Sequence, residues 1–183
     1  MTVGSRSVVV YEFISLDGVA ENVAGLFTEW DDEEVDAFGA EAIATQDAVI
    51  LGRRSYDEWA PFWPGSAIEP FATFINAVPK FVATSAPLDI EWANASAIDG
   101  ELVDFVRALK SRPGRDIGVH ASISVAQTLL AAGIVDELRL VIAQAIAGVG
   151  RKLLDGLPPI RLSPIRSVIS PTGFPLLHLR VVE

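Results

Sequence analysis

The sequence predicts an α/β fold with three layers, in which a mixed, mainly parallel sheet ends in a C-terminal antiparallel hairpin. Segments rich in β-branched residues alternate with amphipathic segments along most of the chain, which is typical of parallel strands joined by helices. The last two β-rich segments, Arg161 to Ser170 and Phe174 to Val182, are separated only by the turn Pro171-Thr172-Gly173. Half of the 183 residues are hydrophobic, which suffices for one core, so we expect a single domain over residues 1–183 with an ordered core of about 8–182.

The first predicted strand and helix occupy the N-terminal quarter. Val8 to Ile14 is nearly continuous in β-branched and aromatic residues, and the turn dipeptide Asp17-Gly18 follows it. A helix is predicted to begin at Thr28, because Asp31 lies three residues on, as in a capping box, and apolar residues recur behind it at helical spacing. The acidic residues of this segment are expected to form a solvated first turn and not a metal site. The next elements are a strand from Asp47 to Leu51, a helix around Glu69 to Asn76, a strand from Lys80 to Thr84 and a weaker strand from Trp92 to Ile98.

The second half continues the alternation of strands and helices. Its predicted elements are a helix from Gly100 to Lys110, a strand from Asp116 to His120, a helix from Ser122 to Ala132 and a long strand from Asp136 to Ile146. Pro113-Gly114 ends the first of these helices, and Gly133 follows the second, as glycine does after a helix C-terminus. The apolar part of the long strand, Leu138 to Ile146, fits either a central strand of the sheet or an interface between two chains.

Composition and charge exclude several classes of protein. With 14 basic against 24 acidic residues, a net charge of −10 and no run of basic residues, the chain is not expected to bind nucleic acid. It contains no cysteine, which excludes disulfides, cysteine-ligated zinc and a thiol nucleophile. The N-terminal residues lack the apolar segment of a signal peptide, and polar side chains interrupt the longest charge-free stretch, Ile117 to Val135, so we expect a cytoplasmic protein without a membrane span.

The first candidate binding segment is Gly52-Arg53-Arg54-Ser55, where a strand ends and a helix is expected to begin. The motifs of Rossmann, P-loop, zincin and α/β-hydrolase sites are all absent. Backbone N–H groups at a helix N-terminus and planar guanidinium groups both favour a phosphate, so this turn suits an anionic ligand. The alternative is an exposed turn with two solvated arginines.

Three other segments are weaker candidates. At His120-Ala121-Ser122, small residues would let a phosphate approach a helix capped by Ser122; the alternative is a capped core helix with His120 as the last residue of a strand. Asp17 is either a turn residue or a carboxylate at the carboxyl end of a strand, where open α/β sheets bind ligands. Gly148-Val149-Gly150 is either a loop that a ligand approaches closely or a flexible turn.

Six segments, taken in order, form a recognisable set: Ser15 to Gly18, Leu51 to Tyr56, Pro79 to Ser85, Asp116 to Ser122, Gly133 to Leu138 and Gly148 to Leu153. Together they resemble the reductase domain of riboflavin-biosynthesis bifunctional deaminase-reductases and, more broadly, dihydrofolate reductases, over about residues 8–182. The resemblance implies a dihydrofolate-reductase-like fold and an NADPH-dependent reductase of a pyrimidine- or pteridine-like heterocycle, either 5-amino-6-ribosylaminouracil reductase-like or dihydrofolate reductase-like. It also implies a homodimer. Deaminase activity is not expected, because zinc nucleobase deaminases need cysteine ligands.

The same resemblance assigns roles to individual residues. It implies that Gly52, Arg53, Arg54 and Ser55 meet the adenosine side of NADPH, that Thr84 and Ser85 meet the ribose 2′-phosphate or adenosine, that His120, Ala121 and Ser122 cradle the pyrophosphate, and that Gly148 and Gly150 belong to a phosphate loop followed by Arg151 and Lys152. Asp17 is implied to orient the substrate or supply a proton. Substrate-side residues are expected among Asn22, Trp30 and Trp59.

The chain departs from the family pattern at the pyrophosphate turn. The family has glycine where this chain has Ala121, and often a small residue where it has His120. A side chain at a close-approach position would shift or weaken a bound cofactor. The alternative function is therefore a non-catalytic member of the fold that binds a small molecule or acts as a dimeric interaction module.

Overall fold

A computed structural model describes residues 6–27 and 31–182, and these residues form an eight-stranded sheet with helices on both faces. The strands are β1 (Val8–Ile14), β2 (Gln46–Gly52), β3 (Lys80–Ala83), β4 (Ala95–Ala97), β5 (Asp116–His120), β6 (Glu137–Ile142), β7 (Arg161–Ile169) and β8 (Pro175–Val182). The α-helices are α1 (Glu33–Ala44), α2 (Arg53–Trp59), α3 (Phe71–Ala77), α4 (Leu102–Lys110) and α5 (Ile123–Ala131), with short 3-10 helices at Val23–Leu26 and Trp63–Gly65. In the described part of the chain, every helix is too short or too polar to span a membrane.

The strands lie in the order β4-β3-β2-β5-β1-β6-β8-β7. Neighbouring strands from β4 to β6 are parallel, whereas β8 is antiparallel to both β6 and β7. This confirms the predicted α/β class with a mainly parallel sheet and a C-terminal antiparallel hairpin. The order also places β5 between β1 and β2, so the carboxyl ends of these three strands lie side by side.

The two faces of the sheet bury different helices. Val10 and Ile14 of β1 point to the face covered by α4 and α5, where they share a core cluster with Leu129. Tyr11 points to the opposite face and packs with Phe38 of α1. The alternation of side chains along a strand therefore assigns every residue of β1 to one layer or the other.

A buried lysine joins β3 to α3. The Lys80 side chain is fully buried, and its Nζ donates to the carbonyl oxygens of Ile75 at 2.7 Å and Val78 at 2.9 Å. The same nitrogen lies 4.5 Å from the ring centroid of Trp92. Trp92 is thus a core residue that precedes a strand, and β4 is shorter than the predicted segment because only residues 95–97 pair with β3.

The long strand predicted from Asp136 to Ile146 is wrong beyond Ile142. The following residues leave the sheet to cover the end of β1, since the Leu16 N–H donates to the Ala145 carbonyl at 2.8 Å. β6 lies between β1 and β8, which makes it a central strand and accounts for its apolar sequence.

The first helix begins later than its sequence pattern predicts. The Oδ1 atom of Asp32 accepts from the N–H of Glu34 at 3.0 Å and of Val35 at 3.3 Å, so Asp32 is the N-cap residue. Its Oδ2 atom accepts from the Thr172 N–H at 3.0 Å, which ties the start of α1 to the turn of the C-terminal hairpin. Thr28, the predicted start, lies outside the described residues.

Candidate functional site

A cleft of about 880 Å³ opens at the carboxyl ends of β1, β2 and β5. Seven of the residues predicted to bind a cofactor line it: Gly52, Arg53, Arg54, Ser55, His120, Ala121 and Ser122. The structure therefore brings the two predicted turns together, at the ends of adjacent strands. Open α/β sheets bind their ligands at this edge.

Hydrogen bonds among three residues hold the two turns against each other. The Gly52 N–H donates to Ser122 Oγ at 2.9 Å, and Ser122 Oγ donates to Ser55 Oγ at 3.1 Å. Ser55 Oγ in turn donates to the Ala121 carbonyl at 2.5 Å. Both serines are buried, so their hydroxyl groups fix the position of the two turns relative to each other.

The start of α5 differs from the predicted capped helix. Ser122 occupies the N-cap position, but its side chain makes no capping hydrogen bond, because the hydroxyl turns towards Gly52 and Ser55. Ile123 and Ser124, whose amides belong to the first turn of α5, line the cleft. The first amides of a helix have no partner within it, so this end of α5 offers donors and a positive dipole to an anion.

Ala121 has a backbone conformation that suits glycine. Its φ is +48°, in the left-handed region, and the residue is exposed. The departure from glycine in the sequence therefore leaves the shape of the turn unchanged and adds one methyl group to it.

Arg53 is held by the protein itself. Its Nε lies 2.9 Å from both carboxylate oxygens of Asp57, Nη2 lies 2.8 Å from Asp89, and Nη1 donates to the Pro87 carbonyl at 2.7 Å. Its side chain is 27% exposed. These contacts make Arg53 a link between α2 and the segment after β3, with little capacity left for a phosphate.

Arg54 is the more accessible of the two arginines. Its side chain is 61% exposed and pairs with Glu58 at 3.1 Å and Glu21 at 2.9 Å. Glu21 also accepts from the Arg151 N–H at 3.2 Å, and Arg151 Nη2 donates to Ser124 Oγ at 2.8 Å. Arg54 and Arg151 both line the cleft, so two cations with carboxylate or hydroxyl partners stand at its mouth.

Thr84 and Ser85 are not among the residues that line the cleft, whereas the preceding Ala83 is. The Thr84 hydroxyl exchanges hydrogen bonds of 3.1 Å with the backbone of Ala86, forming a local turn. Ser85 is exposed. Their implied contact with the adenosine end of a cofactor remains a prediction.

Asp17 does not line the cleft either. Its carboxylate accepts from Ser15 Oγ at 2.6 Å, from the Ala147 N–H at 2.9 Å and from the Gly148 N–H at 3.0 Å. The Ser15 hydroxyl and then the Ala147 amide lower the pKa of Asp17 to about 2. Asp17 is thus a carboxylate that anchors the loop after β6 at neutral pH, and its implied role in proton supply or substrate orientation remains a prediction.

Gly148 and Gly150 also lie outside this cleft. Gly150 has φ of +121°, and a Cβ there would come within 2.6 Å of Val19 Cγ1. The close approach at Gly150 is therefore to the protein's own β1 loop. Gly150 lines a second hollow of about 550 Å³ beside Glu21, so the implied phosphate role of this loop stays a prediction.

His120 is buried at the end of β5 and still lines the cleft. Burial lowers its pKa to about 3, so the imidazole is neutral at physiological pH. Its Nε2 lies 2.8 Å from Gln46 Oε1, and its ring makes edge contacts with Tyr11 and Phe71. His120 therefore supports the floor of the cleft and carries no charge for a phosphate.

Glu12 is a functional candidate that the sequence analysis missed. It is 5% exposed, lines the cleft, and its Oε1 accepts from the Ser122 N–H at 2.9 Å. Burial raises its pKa to about 8, against a smaller opposite effect of the Ser122 amide. The signal that could have found it is alternation: Glu12 shares the buried face of β1 with Val10 and Ile14, where a charged residue is unusual.

Aromatic side chains form one wall of the cleft. Trp59, Trp63 and Phe71 line the cleft with successive ring centroids 5.6 Å and 4.7 Å apart. Asn22 also lines the cleft, so two of the three expected substrate-side residues are found there. Trp30, the third, lies outside the described residues.

One family accounts for this arrangement over most of the chain. The model of the RibD C-terminal domain matches residues 6–172, which include every strand but β8. The chain belongs to the RibD C-terminal domain family. As a RibD-type domain it is reductase-like. The uncharacterized protein YyaP of Bacillus subtilis (strain 168) is 26% identical over 152 residues, which cover 81% of this chain and 80% of YyaP.

Solved structures agree on the fold of this RibD-type domain. A putative riboflavin biosynthesis protein from Shewanella sp. PV-4 superposes with a TM-score of 0.77 at 19% identity, covering 97% of this chain and 99% of that one. Dihydrofolate reductase from Enterococcus faecalis, in a complex with NADP(H), superposes with a TM-score of 0.60 at 12% identity, covering 97% of both chains. The predicted dihydrofolate-reductase-like fold is therefore confirmed.

Proposed function

We propose that this RibD-type domain is an NADPH-dependent reductase of a pyrimidine- or pteridine-like heterocycle. The observation that carries the proposal is a cleft lined both by two strand-to-helix turns, Gly52 to Ser55 and Ala121 to Ser124, and by the aromatic residues Trp59, Trp63 and Phe71. Its volume of about 880 Å³ is within the range of clefts that hold cofactors and drug-sized ligands. The solved dihydrofolate reductase with NADP(H) supports a nicotinamide cofactor for the fold.

The residues of the two turns fit the phosphate groups of a dinucleotide. Ile123 and Ser124 would hold the pyrophosphate through their backbone amides, because no side chain caps α5. Arg54 would meet the 2′-phosphate by exchanging a carboxylate partner for it, whereas Arg53 stays with Asp57 and Asp89. When bound, the reduced nicotinamide supplies a hydride.

The aromatic wall fits a flat heterocycle. Aromatic rings pair in offset-stacked or edge-to-face arrangements with centroids about 4.5–7 Å apart. The rings of Trp59 and Phe71 would pair in this way with a pyrimidine or pteridine ring, which would orient the ring and exclude water from it. His120, which packs against Phe71, is neutral and adds no charge to this part of the cleft. The role of these residues is therefore to bind and orient the ring that accepts the hydride.

Titration with NADPH, followed by its fluorescence, tests cofactor binding. We expect Arg54→Ala to weaken NADPH by at least 10-fold and NADH far less, because only NADPH carries the 2′-phosphate. Arg161→Ala, at the far edge of the sheet on β7, is the control and should leave both affinities unchanged. Equal losses for NADPH and NADH would contradict the role of Arg54.

Steady-state oxidation of NADPH tests the reaction itself. Dihydrofolate and 5-amino-6-ribosylaminouracil serve as probe substrates for the two heterocycle classes. Turnover with either supports a reductase. Binding of a probe without turnover supports the alternative, a non-catalytic binding protein, and no NADPH binding up to millimolar concentration removes the proposal.

A further inference from the structure

Glu12 lines the cleft with a carboxyl group of which only one oxygen has a hydrogen-bond partner in the described residues. Glu12 Oε1 accepts from the Ser122 N–H at 2.9 Å, and within residues 6–27 and 31–182 no partner bonds Oε2. The side chain is 5% exposed and lines the cleft. Among the described residues, the fully buried polar atoms without a partner are Gln46 Nε2 and Trp63 Nε1, so Glu12 Oε2 is not sealed inside the protein. It is open to the cleft that the side chain lines, where a ligand would reach it.

The surroundings of Glu12 keep this carboxyl protonated. Burial raises its pKa to about 8, and the Ser122 amide opposes that shift only in part. The titratable group that interacts with it, Tyr11 on the same strand, brings no positive charge. The three arginines that line the cleft, Arg53, Arg54 and Arg151, are bound to other partners. A neutral carboxyl is also compatible with phosphate groups at the nearby start of α5.

We propose that Glu12 is the proton donor of the reductase, with Oε2 donating to a ring nitrogen or carbonyl oxygen of the heterocycle. The inference rests on the proposed function. Asp17, for which the resemblance implies substrate orientation or proton supply, has a lowered pKa and does not line the cleft, so its role stays a separate prediction.

The step balances as the reduction of a carbon–nitrogen or carbon–oxygen double bond. The carbon gains a hydride, with its two electrons, from the reduced dinucleotide, which leaves oxidised. The nitrogen or oxygen gains the proton of Glu12 as the double bond becomes single. Glu12 is left as a carboxylate, which the Ser122 N–H and the positive end of α5 stabilise until water returns the proton.

The decisive variant is Glu12→Gln, which keeps the size of the side chain and an oxygen for the Ser122 amide but carries no transferable proton. We expect kcat for the probe substrate to fall by about 100-fold or more, the contribution typical of general acid catalysis. The dissociation constant for NADPH should change less than about 3-fold, or roughly 0.6 kcal/mol. Glu12→Asp should recover part of kcat, and Glu101→Gln, in the exposed residue before α4, should behave as wild type.

Two readouts separate a proton donor from a structural residue. The kcat of the wild type should decline at alkaline pH with a midpoint near 8, and Glu12→Gln should lose that decline. Infrared difference spectra between wild type and Glu12→Gln, without any ligand, should show a protonated carboxyl band that titrates in the same range. Absence of that band at pH 6.5, or an unchanged kcat profile in Glu12→Gln, overturns the proposal. If the wild type does not oxidise NADPH, the proposed function and the donor role both fail, while the infrared band still reports whether Glu12 holds a proton.

Discussion

Ala121 stands where the family pattern has glycine, and it adopts the left-handed backbone conformation that favours glycine. Its φ of +48° is a conformation that costs an L-residue about 1–2 kcal/mol. Glycine adopts it freely but loses about 0.5–1 kcal/mol more chain entropy on folding. Because the conformational cost for alanine exceeds the entropy cost for glycine, Ala121 leaves a modest strain at the turn beside the cleft.

Ala121→Gly should therefore raise the free energy of unfolding by up to about 1 kcal/mol, measured by urea denaturation. Ala108→Gly, in the exposed face of α4, is the matched control and should lower it by about 1 kcal/mol, because glycine is unfavourable inside a helix. An equal loss in both variants would mean that the left-handed conformation at Ala121 carries no strain.

Two carboxyl groups near the end of β1 have opposite environments. Asp17 receives hydrogen bonds from Ser15 and from two amides of the loop after β6, which lowers its pKa to about 2. Glu12 receives one amide and is buried, which raises its pKa to about 8. Groups whose pKa values are pushed apart in this way suit different tasks, here a fixed anionic anchor and a neutral hydrogen-bond donor.

At the scale of elements, a hydrogen bond between the side chains of Gln46 on β2 and His120 on β5 adds to the pairing of these two strands. The two side chains lie against Gly118, which has no side chain of its own. A Cβ at Gly118 would lie 2.0 Å from Gln46 Oε1 and 2.7 Å from His120 Nε2. Both side chains are buried, and only His120 borders the cleft, so the added methyl group would have to displace one of them.

Gly118→Ala should consequently lower the free energy of unfolding by about 1–3 kcal/mol, the usual cost of overpacking a core, and break the hydrogen bond between Gln46 and His120. Thermal unfolding and the imidazole signals of His120 in NMR spectra would measure the two effects. The control is Gly25→Ala, where a Cβ meets no atom within 4 Å and φ is ordinary. Wild-type stability for Gly118→Ala would show that Gln46 and His120 can rearrange.

Local patterns in the sequence predicted most elements because those patterns determine local structure. Val8 to Ile14 is β1 as predicted, and α2 begins at Arg53 directly after the strand, as the turn implied. The errors lie where distant contacts decide. The segment after Ile142 looks like a strand, but it pairs with the loop after β1, which is far away in sequence.

The site was predicted in part for the same reason. The two turns at Gly52 and Ala121 were found because each is a local strand-to-helix signal. The ion pairs of Arg53 and Arg54 were not predicted. Two of their partners, Asp89 and Glu21, lie 36 and 33 residues away, although Asp57 and Glu58 are only four residues on along α2. Glu12 was missed because its proposed role depends on its hydrogen bond with the Ser122 N–H at the start of α5, and these two residues are 110 positions apart in the sequence.

At the scale of the whole molecule, two buried groups in the cleft link stability to pH. Glu12 has a pKa raised from 4.5 to about 8 in the folded state, so its stabilising contribution is complete below about 4.5 and is lost as pH rises to about 8. His120 has a pKa lowered from 6.5 to about 3, so its contribution is complete above 6.5 and is lost as pH falls towards 3. Between 4.5 and 6.5 the two slopes are opposite and cancel.

The contribution of these two groups to the free energy of unfolding should therefore be flat from about pH 4.5 to 6.5 and fall on either side. Between pH 6.5 and 8 only Glu12 still contributes a slope, which at about 1.4 kcal/mol per pH unit amounts to roughly 2 kcal/mol. Urea denaturation from about pH 2 to 8.5 measures the curve, and Glu12→Gln should remove the alkaline fall while His120→Gln removes part of the acid one. The lowered pKa of Asp17 adds to the loss on the acid side, so that side should persist in weaker form in His120→Gln. An alkaline fall of the same size in Glu12→Gln would assign it to another group and would place Glu12 in its ionised form at neutral pH.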